Sequence, residues 1–141
     1  MAAQLDTLLP ETCEQVWMTP PVAGAVSDVR RGVGAVLAEW DVSPEIVEDS
    51  LLVVSELLTN AVIHALPPAV LRLSWVRGEG VRTLHVEVTD AGPTLPAGHS
   101  RVGIDPDEHG RGEEIVHALA TRHGIRAHAG GYTRWADLVA V

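Results

Sequence analysis

Ser55-Glu56-Leu57-Leu58-Thr59-Asn60-Ala61-Val62-Ile63-His64-Ala65 is the stretch whose reading decides the fold. It forms the second half of a long helical pattern. Ser43 stands as N-cap, Pro44 at the first helical position, and Glu45, Glu48 and Asp49 complement the positive helix end. The pattern runs to His64 or Ala65 and is stopped by Pro67-Pro68. Val47, Leu51, Val54, Leu58, Ala61 and Ala65 recur as an apolar stripe at about 100° per residue. Glu56 and Asn60 are spaced so that they stack on one face opposite that stripe. A carboxylate and a carboxamide so placed can bind a hard cation, or position water and a substrate hydroxyl. Alone, the pair reads better as a solvated face, since Glu and Asn usually face water.

Upstream, residues 1–11 read as a lead-in and Glu14–Met18 as a short edge strand ended by Pro20-Pro21. Val26, Val29, Val33, Val36 and Leu37 predict a helix over 24–40. Gly32 and Gly34 weaken it by about 1 kcal/mol each relative to Ala. Downstream, Leu71, Leu73 and Trp75, then Leu84, Val86 and Val88, alternate with polar residues around Gly78-Glu79-Gly80. That is a hairpin with one buried and one wet face. Its second strand runs into Asp90-Ala91-Gly92-Pro93. From there to Gly112 the chain carries five Gly, three Pro and no apolar period, as a functional loop does. Ile115, Val116, Leu119 and Ala120 predict a helix to about His123, with Gly124 as its C′ glycine. Ile125–His128 and Tyr132–Val141 read as a closing hairpin around Gly130-Gly131. The expected division is a lead-in and edge strand over 1–19 and one domain over 20–141.

Composition narrows the function classes. The chain has 141 residues, 46% of them hydrophobic, enough for one core of its own. Its net charge of −9 gives no general pull toward nucleic acid. All ten basic residues are Arg, which holds phosphate through a fork of donors. No apolar run is long enough to span a membrane, and no basic-then-apolar leader opens the sequence. Cys13 is the single cysteine, which fits a reducing compartment, and a cytoplasmic location is expected. His64, His85, His99, His109, His117, His123 and His128 show no ligand spacing on one helix, and scattered surface histidines are expected. No Gly-x-Ser-x-Gly elbow is present, so a Ser-His-Asp hydrolase is rejected.

Two further candidates lie around the Gly-rich loop. Asp90 ends a strand, and its carboxylate can accept a hydrogen bond from an amino group such as that of adenine; Gly92 allows close backbone approach. Gly110-Arg111-Gly112 precedes the helix that starts near Glu113, where bare N–H groups and Arg111 suit phosphate. Each alone is weak: a turn aspartate and a helix-entry turn are common.

Together, Glu56-Leu57-Leu58-Thr59-Asn60, Asp90-Ala91-Gly92-Pro93, and Gly110-Arg111-Gly112 followed by Thr133-Arg134-Trp135 resemble the GHKL (Bergerat-fold) ATPase superfamily, which includes DNA gyrase and histidine kinases. The chain looks most similar to the stand-alone anti-sigma-factor serine/threonine kinases of actinomycetes, over residues 20 to 141. The resemblance implies an α+β, two-layer sandwich: a mixed, mostly antiparallel sheet with helices on one face. It implies ATP and Mg²⁺, with Asn60 holding the metal and Glu56 acting as general base. Asp90 would bind the adenine amino group beside Gly92, Thr133 would assist through its hydroxyl, and Gly110, Arg111 and Gly112 would close on the phosphates. It further implies an anti-sigma factor that phosphorylates an anti-anti-sigma (STAS-type) protein and regulates transcription through a sigma factor, often as a homodimer. The alternatives are an ATP-binding regulator with little or no kinase activity, or a histidine-kinase-like catalytic module. Relatives carry small or apolar residues after the Gly-x-Gly, where this chain has Glu113 and Glu114.

Overall fold

The computed structural model describes residues 11–78, 80–92 and 114–140. Within them the elements are β1 (Glu11–Thr19), α1 (Ala25–Glu39), α2 (Pro44–His64), β2 (Ala69–Arg77), β3 (Arg82–Thr89), a short helix α3 over 114–119, β4 (Arg122–His128) and β5 (Gly131–Ala140). Gly110, Arg111, Gly112 and Glu113 lie outside the described residues.

Five strands form one sheet in the order β1-β2-β3-β5-β4, every pair antiparallel. The expected mixed sheet is therefore antiparallel throughout the described residues. The α+β layering is as expected. Leu71, Leu73 and Trp75 of β2, Leu84, Val86 and Val88 of β3, and Ala136 and Leu138 of β5 share one core with α1 and α2. Burying each such large side chain contributes about 1.5–3 kcal/mol, so this face decides on which side the helices lie. The alternation read from the sequence of β2 and β3 is reproduced residue for residue.

The opposite face is polar. His85 is bracketed by Asp137 (Nδ1 to Oδ1, 2.5 Å) and Glu87 (Nε2 to Oε1, 2.9 Å), and its ring stacks on Trp135. Arg122 and Arg126 add ion pairs to the same carboxylates at 3.5 and 3.9 Å. Among the described residues no three His, Cys, Asp or Glu side chains are grouped to hold a metal. No described helix is long and apolar enough to cross a membrane.

Four local expectations change. First, β1 is nine residues long and pairs with β2 from Glu11 to Thr19, extending the short edge strand at both ends. Arg72 of β2 reaches Glu14 of β1 at 2.7 Å, and that hydrogen bond, with the carboxylate's charge, raises the guanidinium's pKa above its ordinary value. Second, Ser43 occupies the N-cap position of α2 but makes no side-chain cap bond. Third, the buried face of α2 is Ser50, Val53, Val54, Leu57, Leu58 and Ala61. It is rotated from the expected stripe, because Val47 and Leu51 pack only at the margin of the core.

The fourth change is the largest. Gly124 caps no helix: α3 ends at residue 119, and Gly124 lies inside β4, opposite Trp135. A Cβ there would stand 2.9 Å from the Trp135 indole nitrogen, so the glycine makes room for the ring. Gly32 does the same in α1, where a Cβ would meet Trp17 Nε1 at 3.0 Å, whereas Gly34 has nothing within 4 Å. The two helix glycines therefore differ. Gly34→Ala is expected to raise stability by about 1 kcal/mol, and Gly32→Ala to gain clearly less or to lose stability. Urea denaturation of the two variants checks this, and equal gains would refute the packing role of Gly32.

Candidate functional site

The strand order positions the site. β5 lies between β3 and β4, so the start of β5 is brought beside the end of β3, Thr89 facing Thr133. The next residues form a corner held by main-chain bonds from both sides. Asp90 N–H donates to Tyr132 O (2.9 Å), Leu66 N–H to Gly92 O (2.7 Å) and Ala91 N–H to Leu66 O (3.1 Å). Leu66 follows the C-cap of α2, Ala65. The corner is thus joined to the helix that carries Glu56 and Asn60.

The approach of β5 to the corner requires glycine. Gly131 has φ +152°, and a Cβ on it would stand 2.1 Å from the Asp90 carbonyl oxygen and 2.7 Å from Gly92 N. Gly92 has φ +104°. Both are conformations that side-chain-bearing residues rarely adopt.

Asp90 itself is buried, its side chain 1% exposed. Strand alternation turns it to the face that Leu84, Val86 and Val88 share, under α2. Its Oδ1 accepts from Gly92 N–H (2.8 Å) and Tyr132 N–H (3.3 Å), and its Oδ2 accepts from Arg134 NH1 (3.2 Å). Among the described residues, this leaves one of the carboxylate's roughly four lone-pair sites, on Oδ2, without a donor.

On α2, Glu56 and Asn60 are both half-buried, on the shoulder of the helix rather than on its fully solvated side, where Leu52, Thr59 and Ile63 are exposed. The bland reading of the pair as a solvated face does not describe this placement. Asn60 offers a hard carboxamide oxygen of the kind Mg²⁺ takes, and Glu56 stands one turn earlier as an anionic proton acceptor. With the free position on Asp90, this donor set fits a Mg-nucleotide.

Thr133 is placed differently from its expectation. Its hydroxyl pairs with that of Thr89 at 2.9 Å, not with Asp90. Alternation along β5 is the reason: Arg134, Ala136 and Leu138 point to the core side opposite Val88, Val86 and Leu84, so Thr133 points away from it. The side chain that reaches Asp90 is Arg134, which the sequence reading passed over. The signal was present: Arg134 shares the parity of Ala136 and Leu138, and an arginine on the apolar parity of a strand calls for an acidic partner. Glu114 is exposed at the first turn of α3.

Residues 19–135 match the histidine kinase-like ATPase domain. The chain belongs to that family. Membership implies ATP as the ligand of the fold, and it bears out the superfamily resemblance. Among solved structures, the chain is similar to the crystal structure of the RsbU and RsbW domains of Rv1364c from Mycobacterium tuberculosis, with a TM-score of 0.67 and 21% identity. That match covers 89% of this chain and 32% of the other, so the chain spans about a third of that structure's length, and what is shared is the fold. No curated protein matches.

The corner makes a stability prediction. Gly131→Ala should cost about 3 kcal/mol or more, because strain and a main-chain clash coincide. Gly130→Ala, whose added Cβ meets only His128 Nδ1 at 3.9 Å, should fall within about 1 kcal/mol of the parent. Chemical denaturation of both variants would expose a mistaken corner geometry if Gly131→Ala proved neutral.

Proposed function

We propose that this protein is an ATP-binding regulator: an anti-sigma factor with serine kinase activity toward an anti-anti-sigma partner. The observation that carries the nucleotide reading is Asp90, a buried carboxylate whose Oδ1 is held by the Gly92 and Tyr132 N–H groups and whose Oδ2 has a single donor, Arg134, among the described residues. The anti-sigma branch is supported by the motif set and by a shared fold with a structure that contains an RsbW domain.

In this reading Asp90 accepts a hydrogen bond from the adenine amino group, and Gly92 leaves room for the ring. Asn60 would hold Mg²⁺, which when bound supplies neutralising charge to the phosphates. Gly110, Arg111 and Gly112 would present N–H groups and a guanidinium to the phosphates. Glu56 would take the proton from a partner serine hydroxyl as its oxygen bonds to the γ-phosphorus of ATP and the bond to ADP breaks. Phosphoryl transfer needs positioning and charge neutralisation more than a covalent intermediate, so this short list of residues is sufficient in kind. The sigma factor and the phosphorylated protein would be alternative partners, and the protein would act in the cytoplasm, as a homodimer, without contacting nucleic acid itself.

Two substitutions test separate steps. Asp90→Asn should abolish ATP binding in titration calorimetry, and unchanged affinity would sink the nucleotide reading. Glu56→Ala should bind ATP as the parent does and transfer phosphate to a cognate serine protein at least about 100-fold more slowly, the usual worth of a general base. A parent protein that binds Mg-ATP yet phosphorylates no cognate candidate would leave the binding-only regulator as the function.

A further inference from the structure

Arg134 sits where the proposed base site needs an empty acceptor. Its NH1 lies 3.2 Å from Asp90 Oδ2, the oxygen not already taken by the two main-chain donors. Its stem runs on the core side of β5, opposite the buried Val88. Its side chain is 23% exposed while that of Asp90 is 1% exposed, so the cation lies between the buried carboxylate and solvent. A guanidinium–carboxylate bond is stronger than a neutral amino-to-carboxylate one.

We propose that Arg134 is a specificity-determining residue of the nucleotide site: its guanidinium competes with the base's 6-amino group for Asp90 Oδ2 and so blunts selection for adenine. The inference rests on the reading of Asp90 as the base acceptor. With Oδ2 shared, the amino group gains one weakened bond, and a purine nucleotide that lacks it loses little. With Arg134 removed, Oδ2 is open, and the amino group gains an undivided charged acceptor. A buried carboxylate oxygen, Oδ2, left without a donor then penalises any base that cannot supply one. The arginine also stabilises the fold as the counter-charge of a buried aspartate, so its removal should lower stability while sharpening selection. A purely structural ion pair would lower stability and leave the selectivity ratio where it was.

The test is calorimetric titration of the full chain with Mg-ATP and with Mg-purine riboside triphosphate, which lacks the 6-amino group. Arg134→Met should bind ATP at least about fivefold more tightly than the parent, and the ratio of the two affinities should rise about tenfold, the scale of one charged hydrogen bond. Arg134→Lys keeps a donor cation on Asp90 and should stay within about twofold of the parent ratio. If Arg134→Met does not fold, Arg134→Leu carries the same measurement. Unchanged or weaker ATP binding with an unchanged ratio in the Met or Leu variant would overturn the competition. Failure of parent and variant alike to bind either nucleotide would overturn both this inference and the nucleotide reading beneath it. Asp90→Asn separates the two: loss of ATP binding there, with no change of ratio at residue 134, removes only the role of Arg134.

Discussion

The contact on which the rest depends is the approach of Gly131 to the main chain of Asp90. The Asp90 carbonyl and Gly92 nitrogen stand where a Cβ on residue 131 would be. That proximity brings the first strand residues after the β4–β5 turn against the last residues of β3, about forty positions apart in the chain. It places Tyr132 N–H and the Arg134 guanidinium on the Asp90 carboxylate. It also leaves Gly92 free to return the chain toward Leu66 and the end of α2. One close approach therefore joins three elements and buries the Asp90 side chain with its donors already in place. Burial of a charged carboxylate without them would be costly.

The architecture explains why the two halves of the candidate site can be far apart in sequence and still be tied together. Helix α2 is held by a core face that includes Val53, Val54, Leu57 and Leu58 on the apolar side of β2, β3 and β5. Its rotation is set by that packing, not by the preference of Glu56 or Asn60 for water. The two polar residues are left on the shoulder, half-buried, facing neither the core nor open solvent.

How much of this could be read from the sequence differs from element to element. The β2–β3 hairpin was legible because a sheet with one wet face writes its alternation directly into the chain. The α2 helix was legible for its length and its stop, but not for its rotation. Val47 and Leu51 satisfy helical spacing as well as Val53 and Leu57 do, and only the sheet decides which of them go inside. Gly124 misled because a glycine after a helical run is a common cap, whereas here it makes room for Trp135, an indole from another strand. Such a cause is invisible locally. In the candidate site, Glu56, Asn60, Asp90 and Thr133 were all singled out through the family resemblance, and strand parity turns the Thr133 hydroxyl to Thr89 instead of Asp90.

Arg134 shows what is gained by following parity through to chemistry. A strand reading Tyr132, Arg134, Ala136, Leu138 along its inward face places one charge in an apolar column. The charge is tolerable only with a carboxylate at its own level, and in this sheet the end of β3 supplies Asp90. The aspartate balances a cation that the core would otherwise reject, and in the proposed reading it would also be the acceptor for the base. A carboxylate oxygen can serve both, but not at full strength at once. Fold stability and ligand discrimination are in this way drawn from the same lone pairs, and a change at either residue moves both.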